Sequence, residues 1–220
     1  MNFINAPSPN FDDRAAPISH VMLHYTGMES GDAALARMCD PAAKVSAHYM
    51  IEEDGRVFRL VDEAKRAWHA GLGRWAGITD MNSASIGIEI VNGGHDFGLP
   101  DFPDVQIEAV FALVSDILSR HDIPAKNVIG HSDFAPARKE DPGEKFPWKR
   151  LADAACAIWP GEGGEPSADV ESDLAVIGYD LSAGLSDVVR AFQRRFYPTS
   201  VTGAVDDNTS RLIRAVAAFS

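Results

Sequence analysis

Two short runs constrain the fold more than any other feature of the chain. ISHVMLHYT (18–26) is β-branched and apolar and stops at Gly27, as a buried strand does. SIGIEIVN (85–92) alternates strictly and ends in Asn-Gly-Gly, the pattern of a second strand. Around them stand DAALARMC (32–39), helical in composition up to Pro41, and SAHYMIEEDGRVFRLV (46–61), two strands joined at an Asp54-Gly55 turn. DVQIEAVFALVSDILSRHDI (104–123) carries apolar residues at helical spacing and stops near Pro124, and NVIGH (127–131) is again strand-like. Strands interleaved with helices predict an α/β fold, a mixed central β-sheet flanked by helices.

The pattern changes after AIWP (157–160). GEGGEPSADVES (161–172) has linker composition, so few contacts are expected to cross it. LSDVVRAFQRRFYP (185–198) and DNTSRLIRAVAAF (207–219) then read as helices, enough for a small helical unit. The expected organisation is an α/β domain over 1–160, a linker over 161–172 and a helical domain over 173–220. A chain of 220 residues has room for one substantial core and such an appendage.

Charge and cysteine content narrow the function. A net charge of -12 argues against a nucleic-acid partner, which calls for clustered Lys and Arg. Cys39 and Cys156 share no ligand spacing and are expected to be free packing residues. No apolar stretch reaches membrane-spanning length, and MNFINAPSPNFDDRAAP lacks a charged-then-apolar leader pattern. As written the chain reads as cytoplasmic, with periplasm or cell envelope as the alternative, and as a monomer.

Chemistry concentrates at the strand ends. His24 closes the first strand and His131 another, while Asp141 follows on an irregular loop, IGHSDFAPARKEDPGEKFPW (129–148), that can fold back beside them. Each residue alone has an ordinary structural reading. Together, two imidazoles and a carboxylate around an open position are what a catalytic zinc site requires. In SIGIEIVN the alternation sets Glu89 against the isoleucines, inside a covered sheet, where a carboxylate needs a partner or serves as a general base for a metal-activated water. Lys139 is either solvated or aimed at an oxyanion.

VMLHYTGM, VSAHYMIEEDGRVFRLVDEAKRAWHAG, NSASIGIEIVN and IGHSDFAPARKEDPGEKFPW, four ordered blocks, together resemble the zinc-dependent N-acetylmuramoyl-L-alanine amidases, a family that includes phage lysozymes and peptidoglycan recognition proteins. The resemblance spans about residues 17 to 160. It implies Zn2+ held by His24, His131 and Asp141, Glu89 as catalytic acid/base, and Lys139 stabilising the transition state. It also implies a peptidoglycan or muropeptide substrate, cut between N-acetylmuramic acid and L-alanine. His69 and Trp68, in AWHAG, are expected to line the substrate groove, and His48 to be structural. His20, His95 and His121 are read as ordinary structural histidines. The tail resembles a three-helix peptidoglycan-binding module. The alternatives are a recognition protein that binds peptidoglycan without cutting it, disfavoured by the intact ligand set with Glu89, and a zinc hydrolase of another amide.

Overall fold

The computed structural model describes residues 1–161 and 164–219. The strands are β1 (Phe3–Asn5), β2 (Phe11–Asp13), β3 (His20–Tyr25), β4 (Tyr49–Ile51), β5 (Val57–Arg59), β6 (Lys65–Ala67), β7 (Ser85–Ile90) and β8 (Val128–Gly130). The helices are α1 (Gly31–Cys39), α2 (Met81–Ala84), α3 (Asp104–His121), α4 (His131–Phe134), α5 (Trp148–Asp153), α6 (Val170–Ile177), α7 (Leu185–Phe196) and α8 (Asp207–Ala217). One sheet runs β1-β5-β4-β7-β3-β8; β2 and β6 form a small antiparallel pair. Within the large sheet β4 and β5 are antiparallel, joined through the turn at Gly55 (φ 84), and the other pairings are parallel.

The expected mixed sheet flanked by helices is therefore present, and its alternation divides the molecule. Ile86, Ile88 and Ile90 join Val21 and Leu23 in a cluster closed by Ile107, Val110, Leu113, Val114 and Ile117 of α3. Each such side chain, fully buried, contributes roughly 1.5–3 kcal/mol. The helix terminates where Asp122 turns left-handed (φ 53) and donates its N–H to Leu118 O, two residues ahead of Pro124. The opposite sheet face carries Met22, His24, Gly87 and Glu89. Because β3 and β7 pair in parallel with His24 opposite Glu89, these two polar residues stand side by side near the carboxyl ends of their strands.

The expectation of few contacts across 161–172 does not survive. Met22, Phe134 and Ile129 share one buried cluster with Leu174, Val188, Phe192, Phe196 and Val216, so the C-terminal helices close the second face of the sheet. Ala76 N–H also donates to Gly178 O (2.7 Å). Helix α6 begins at Val170, inside the stretch expected to be linker, capped by the Asp169 carboxylate, which accepts from Ser172 N–H. Its apolar residues Leu174, Val176 and Ile177 follow closely on a Gly/Glu-rich run, whose composition masks the helical period in the sequence. Cys39 and Cys156 are free. Among the described residues no helix is long and apolar enough to cross a membrane.

Candidate active site

His24, His131 and Asp141 meet at one end of the sheet. β8 pairs with β3 as far as Gly130 opposite Leu23, so His131, one residue on, emerges beside His24. The 135–141 loop returns through Ser132 N–H, which donates to Asp141 O (2.9 Å), and this brings the Asp141 carboxylate to both rings. The two Nδ1 atoms are 2.9 Å apart, and each lies 2.9–3.0 Å from Asp141 Oδ2. All three residues are buried.

The outer ring nitrogens explain what the inner ones can do. His131 Nε2 is 2.7 Å from Ala70 O, which can only accept, so the proton is assigned to Nε2 and the Nδ1 lone pair faces the carboxylate. His24 Nε2 meets His69 Nδ1 at 3.0 Å, consistent with the same assignment. Asn82 Oδ1 accepts from both His69 N–H (2.9 Å) and Ala70 N–H (2.7 Å), which fixes both outer partners at once. The three ligand atoms converge closely enough to hold a metal ion, and two imidazoles with one carboxylate suit a metal that accepts nitrogen and oxygen ligands. Burial and the facing His131 lower His24 to about 4, against the raising influence of Asp141, so the ring is neutral as a ligand must be. Burial would raise Asp141, but His131 and His24 outweigh it and hold the carboxylate below its usual range.

Glu89 adjoins this triangle in a different electrostatic setting. Its Oε2 is buried with no hydrogen-bond partner among the described residues. Among the described residues Glu89 forms none of the ion pairs that the sequence left open for it. Burial first, then the charge of Asp141, raise its pKa well above normal, with Lys139 opposing. Glu89 and Lys139 both line a cavity of about 420 Å3 together with the three clustered residues, Arg37, His95 and Arg138.

Other histidines separate by environment. His69 reaches the cavity wall, and its ring is buried with Nδ1 3.0 Å from His24 Nε2. An added Cβ at Gly87 would lie 2.5 Å from that ring, so only glycine leaves room for it. Trp68 is half-buried and is not among the described cavity-lining residues. His48 is wholly buried, accepts from Gly87 N–H (2.9 Å), and is lowered to about 3 by burial and by Arg14. His20 and His121 lie outside this cavity, bonded to Ser19 and Glu63 respectively. His95, read from the sequence as ordinary, sits on the rim: Nδ1 is 3.0 Å from Tyr25 Oη and Nε2 3.0 Å from Glu144 Oε2. Its only signal was its place just after the strand that carries Glu89.

A profile described as N-acetylmuramoyl-L-alanine amidase matches residues 14–144. The chain belongs to the N-acetylmuramoyl-L-alanine amidase family. Among curated relatives of this amidase, AmiD of Escherichia coli (strain K12) is 34% identical over 229 residues, covering 90% of this chain and 82% of AmiD. The 1,6-anhydro-N-acetylmuramyl-L-alanine amidase AmpD of the same strain is 34% identical over 66% of this chain and 87% of AmpD. The structure of AmpDh3 from Pseudomonas aeruginosa superposes with a TM-score of 0.84 at 35% identity, covering 92% of both chains. AmiD in complex with anhydro-N-acetylmuramic acid-L-Ala-D-gamma-Glu-L-Lys superposes with 0.82 at 33% identity, covering 94% of this chain and 92% of that one.

Proposed function

We propose that this amidase hydrolyses the amide between the lactyl group of N-acetylmuramic acid and L-alanine of the stem peptide, with zinc held by His24, His131 and Asp141. The observation that carries the chemistry is the half-buried Glu89 carboxylate one strand from His24, whose Oε2 is buried with no hydrogen-bond partner among the described residues. Zinc, when bound, supplies a Lewis acid that polarises the carbonyl and makes water a usable nucleophile at neutral pH. Glu89, raised by burial, is suited to take a proton from that water and return it to the departing amine. Lys139 lines the same cavity and offers an ammonium for the developing oxyanion. His69 and Ala70 O orient the ligating rings.

Anhydro-muropeptides are the substrate class that the relatives bring to this chain, since AmiD and AmpDh3 have been solved with such molecules. Cell-wall turnover is the corresponding process. In this reading residues 1–160 supply the catalytic residues and 173–220 the helical part, which resembles wall-binding modules. Product analysis on soluble anhydro-muropeptides and on intact sacculi is the test. Stem peptide with a free L-alanine amine should appear, chelation should stop its release, and added zinc should restore it. Cleavage of another bond, or full activity in verified metal-free protein, overturns the reading.

A further inference from the structure

Two consecutive arginines of α7 reach the segment that carries His131 and Asp141 from behind. Arg195, buried at 3% exposure, donates from Nη1 to Asp133 Oδ2 and from Nη2 to Val128 O, both at 2.9 Å. Asp133 is fully buried. It also accepts from Gly130 N–H (2.8 Å) and from Tyr179 Oη–H (2.6 Å), the latter again from the C-terminal part. The end of β8 and the first turn of α4, on either side of His131, thus hang on one carboxylate held by Arg195 and Tyr179. Arg194 pairs with Glu140, next to Asp141, and its Nε is 3.9 Å from Glu144 Oε2. Neither arginine is among the described cavity-lining residues.

We infer that the Arg194–Arg195 pair is a positioning device for the metal-bearing loop, so that the C-terminal helices are part of the active-site architecture. The inference rests on the reading of His131 and Asp141 as ligands. Attachment of the helices does not require these charges, because Val188, Phe192 and Phe196 already pack on Met22, Ile129 and Phe134. A buried ion pair is often no more stabilising than apolar side chains of equal size. What it adds here is direction: the guanidinium of Arg195 lies 4.4 Å over the Trp148 ring, and its two terminal nitrogens donate to Asp133 and Val128 O. The segment 131–144 is mostly irregular, with little strand or helix ladder to set its geometry, and side chains must do so.

The test compares Arg195→Met, Arg195→Lys and Arg194→Gln with wild type in the full chain. Zinc affinity is read by chelator competition and local opening by hydrogen exchange of the metal-free proteins. Arg195→Met should weaken zinc binding by up to about 10-fold, at the low end of what loss of a ligand's direct partner costs, because Arg195 acts through Asp133 and Val128 rather than on a ligand. It should also speed exchange in 128–144 while leaving 20–25 and 85–90 unchanged. Arg195→Lys should recover part of both, since an ammonium can meet Asp133 but cannot also bridge to Val128 O. Arg194→Gln should act in the same direction, confined to 139–144. Folded variants with wild-type zinc affinity and wild-type exchange in 128–144 overturn the inference. Should Arg195→Met fail to fold, the other two decide it. If the wild type itself binds no zinc, the ligand assignment falls, and the exchange pattern alone still judges the clamp.

Discussion

The two halves of the candidate site are built by different means. His24 and Glu89 sit on paired strands, where register places them side by side and the sheet supplies every backbone hydrogen bond. His131, Lys139 and Asp141 sit on a loop whose backbone is mostly irregular and whose position is set by side chains: Asp133, Arg195, Tyr179, Arg194 and Glu140. The strand half is stiff by construction. The loop half borrows stiffness from helices that lie outside the residues matched to the family. A metal joining the halves needs both in place, so the weaker support limits the site.

The bluntest way to break this comparison is to remove the C-terminal helices. A chain ending at residue 160 loses Arg195 and Tyr179, partners of Asp133, together with the helices that cover Met22, Ile129 and Phe134. Uncovering large apolar side chains forfeits roughly 1.5–3 kcal/mol each, a large fraction of ordinary domain stability when several are exposed. The truncated chain should therefore be unfolded or unable to retain metal, as read by circular dichroism and metal analysis. A folded truncation with full activity on soluble muropeptide would mean that the loop holds itself.

Next in size is chemistry lost on the strand half without disturbing either support. Glu89→Gln keeps the shape and removes the proton acceptor, so kcat should fall by about 10²- to 10⁴-fold while zinc content stays at wild type. Loss of zinc in that variant would move Glu89 into the ligand set. His131→Ala, by contrast, should lose zinc and activity together.

A smaller effect should come from pressing on the support of His24. Gly87→Ala places a methyl 2.5 Å from the His69 ring, between backbone and side chain that are both buried. Overpacking of this kind costs roughly 1–3 kcal/mol. Displacing His69 should weaken zinc binding by about 10-fold or more. Hydrogen exchange in 128–144 should not follow; if it does, the two halves are not supported separately.

The smallest effect on the site is expected from acid titration far from it. Burial would raise Glu63, but Arg120, Tyr49 and His121 outweigh this and bring it down to about 2. A lowered carboxylate stabilises the fold above its unfolded value near 4.5 and loses that contribution as pH falls toward 2. The stability difference between wild type and Glu63→Gln, on the order of 2–3 kcal/mol at neutral pH, should vanish across that window in denaturant titrations. Zinc affinity at neutral pH should be unchanged. A change would tie the β4 and α3 periphery to the metal.

Much of this could be read along the chain because it depends on neighbours in sequence. The alternation in SIGIEIVN separates Glu89 from the isoleucines before any fold is known, and the 3.6-residue period of 104–123 declares α3. The linker expectation failed because composition reports how a segment behaves alone, whereas the apolar faces of α7 and α8 needed a surface, which Met22, Ile129 and Phe134 provide. His69 lines the cavity, but its bond to His24 is not legible along the chain: a histidine beside a tryptophan fits a groove, and only the packing of β7 on the 68–71 turn directs its ring to His24.

The sequence by itself determined the strand and helix periods, the polar residues at strand ends and the family blocks, all products of local sterics and of side-chain alternation. Only the tertiary structure decided that Glu89 Oε2 has no hydrogen-bond partner among the described residues, that His69 and Ala70 O meet the rings of His24 and His131, and that Arg195, 62 residues beyond Asp133, bonds its carboxylate. The physical reason is range. Backbone propensity acts over a few residues, but a buried charge is satisfied by whatever group the closed fold brings within about 3 Å, however distant in sequence.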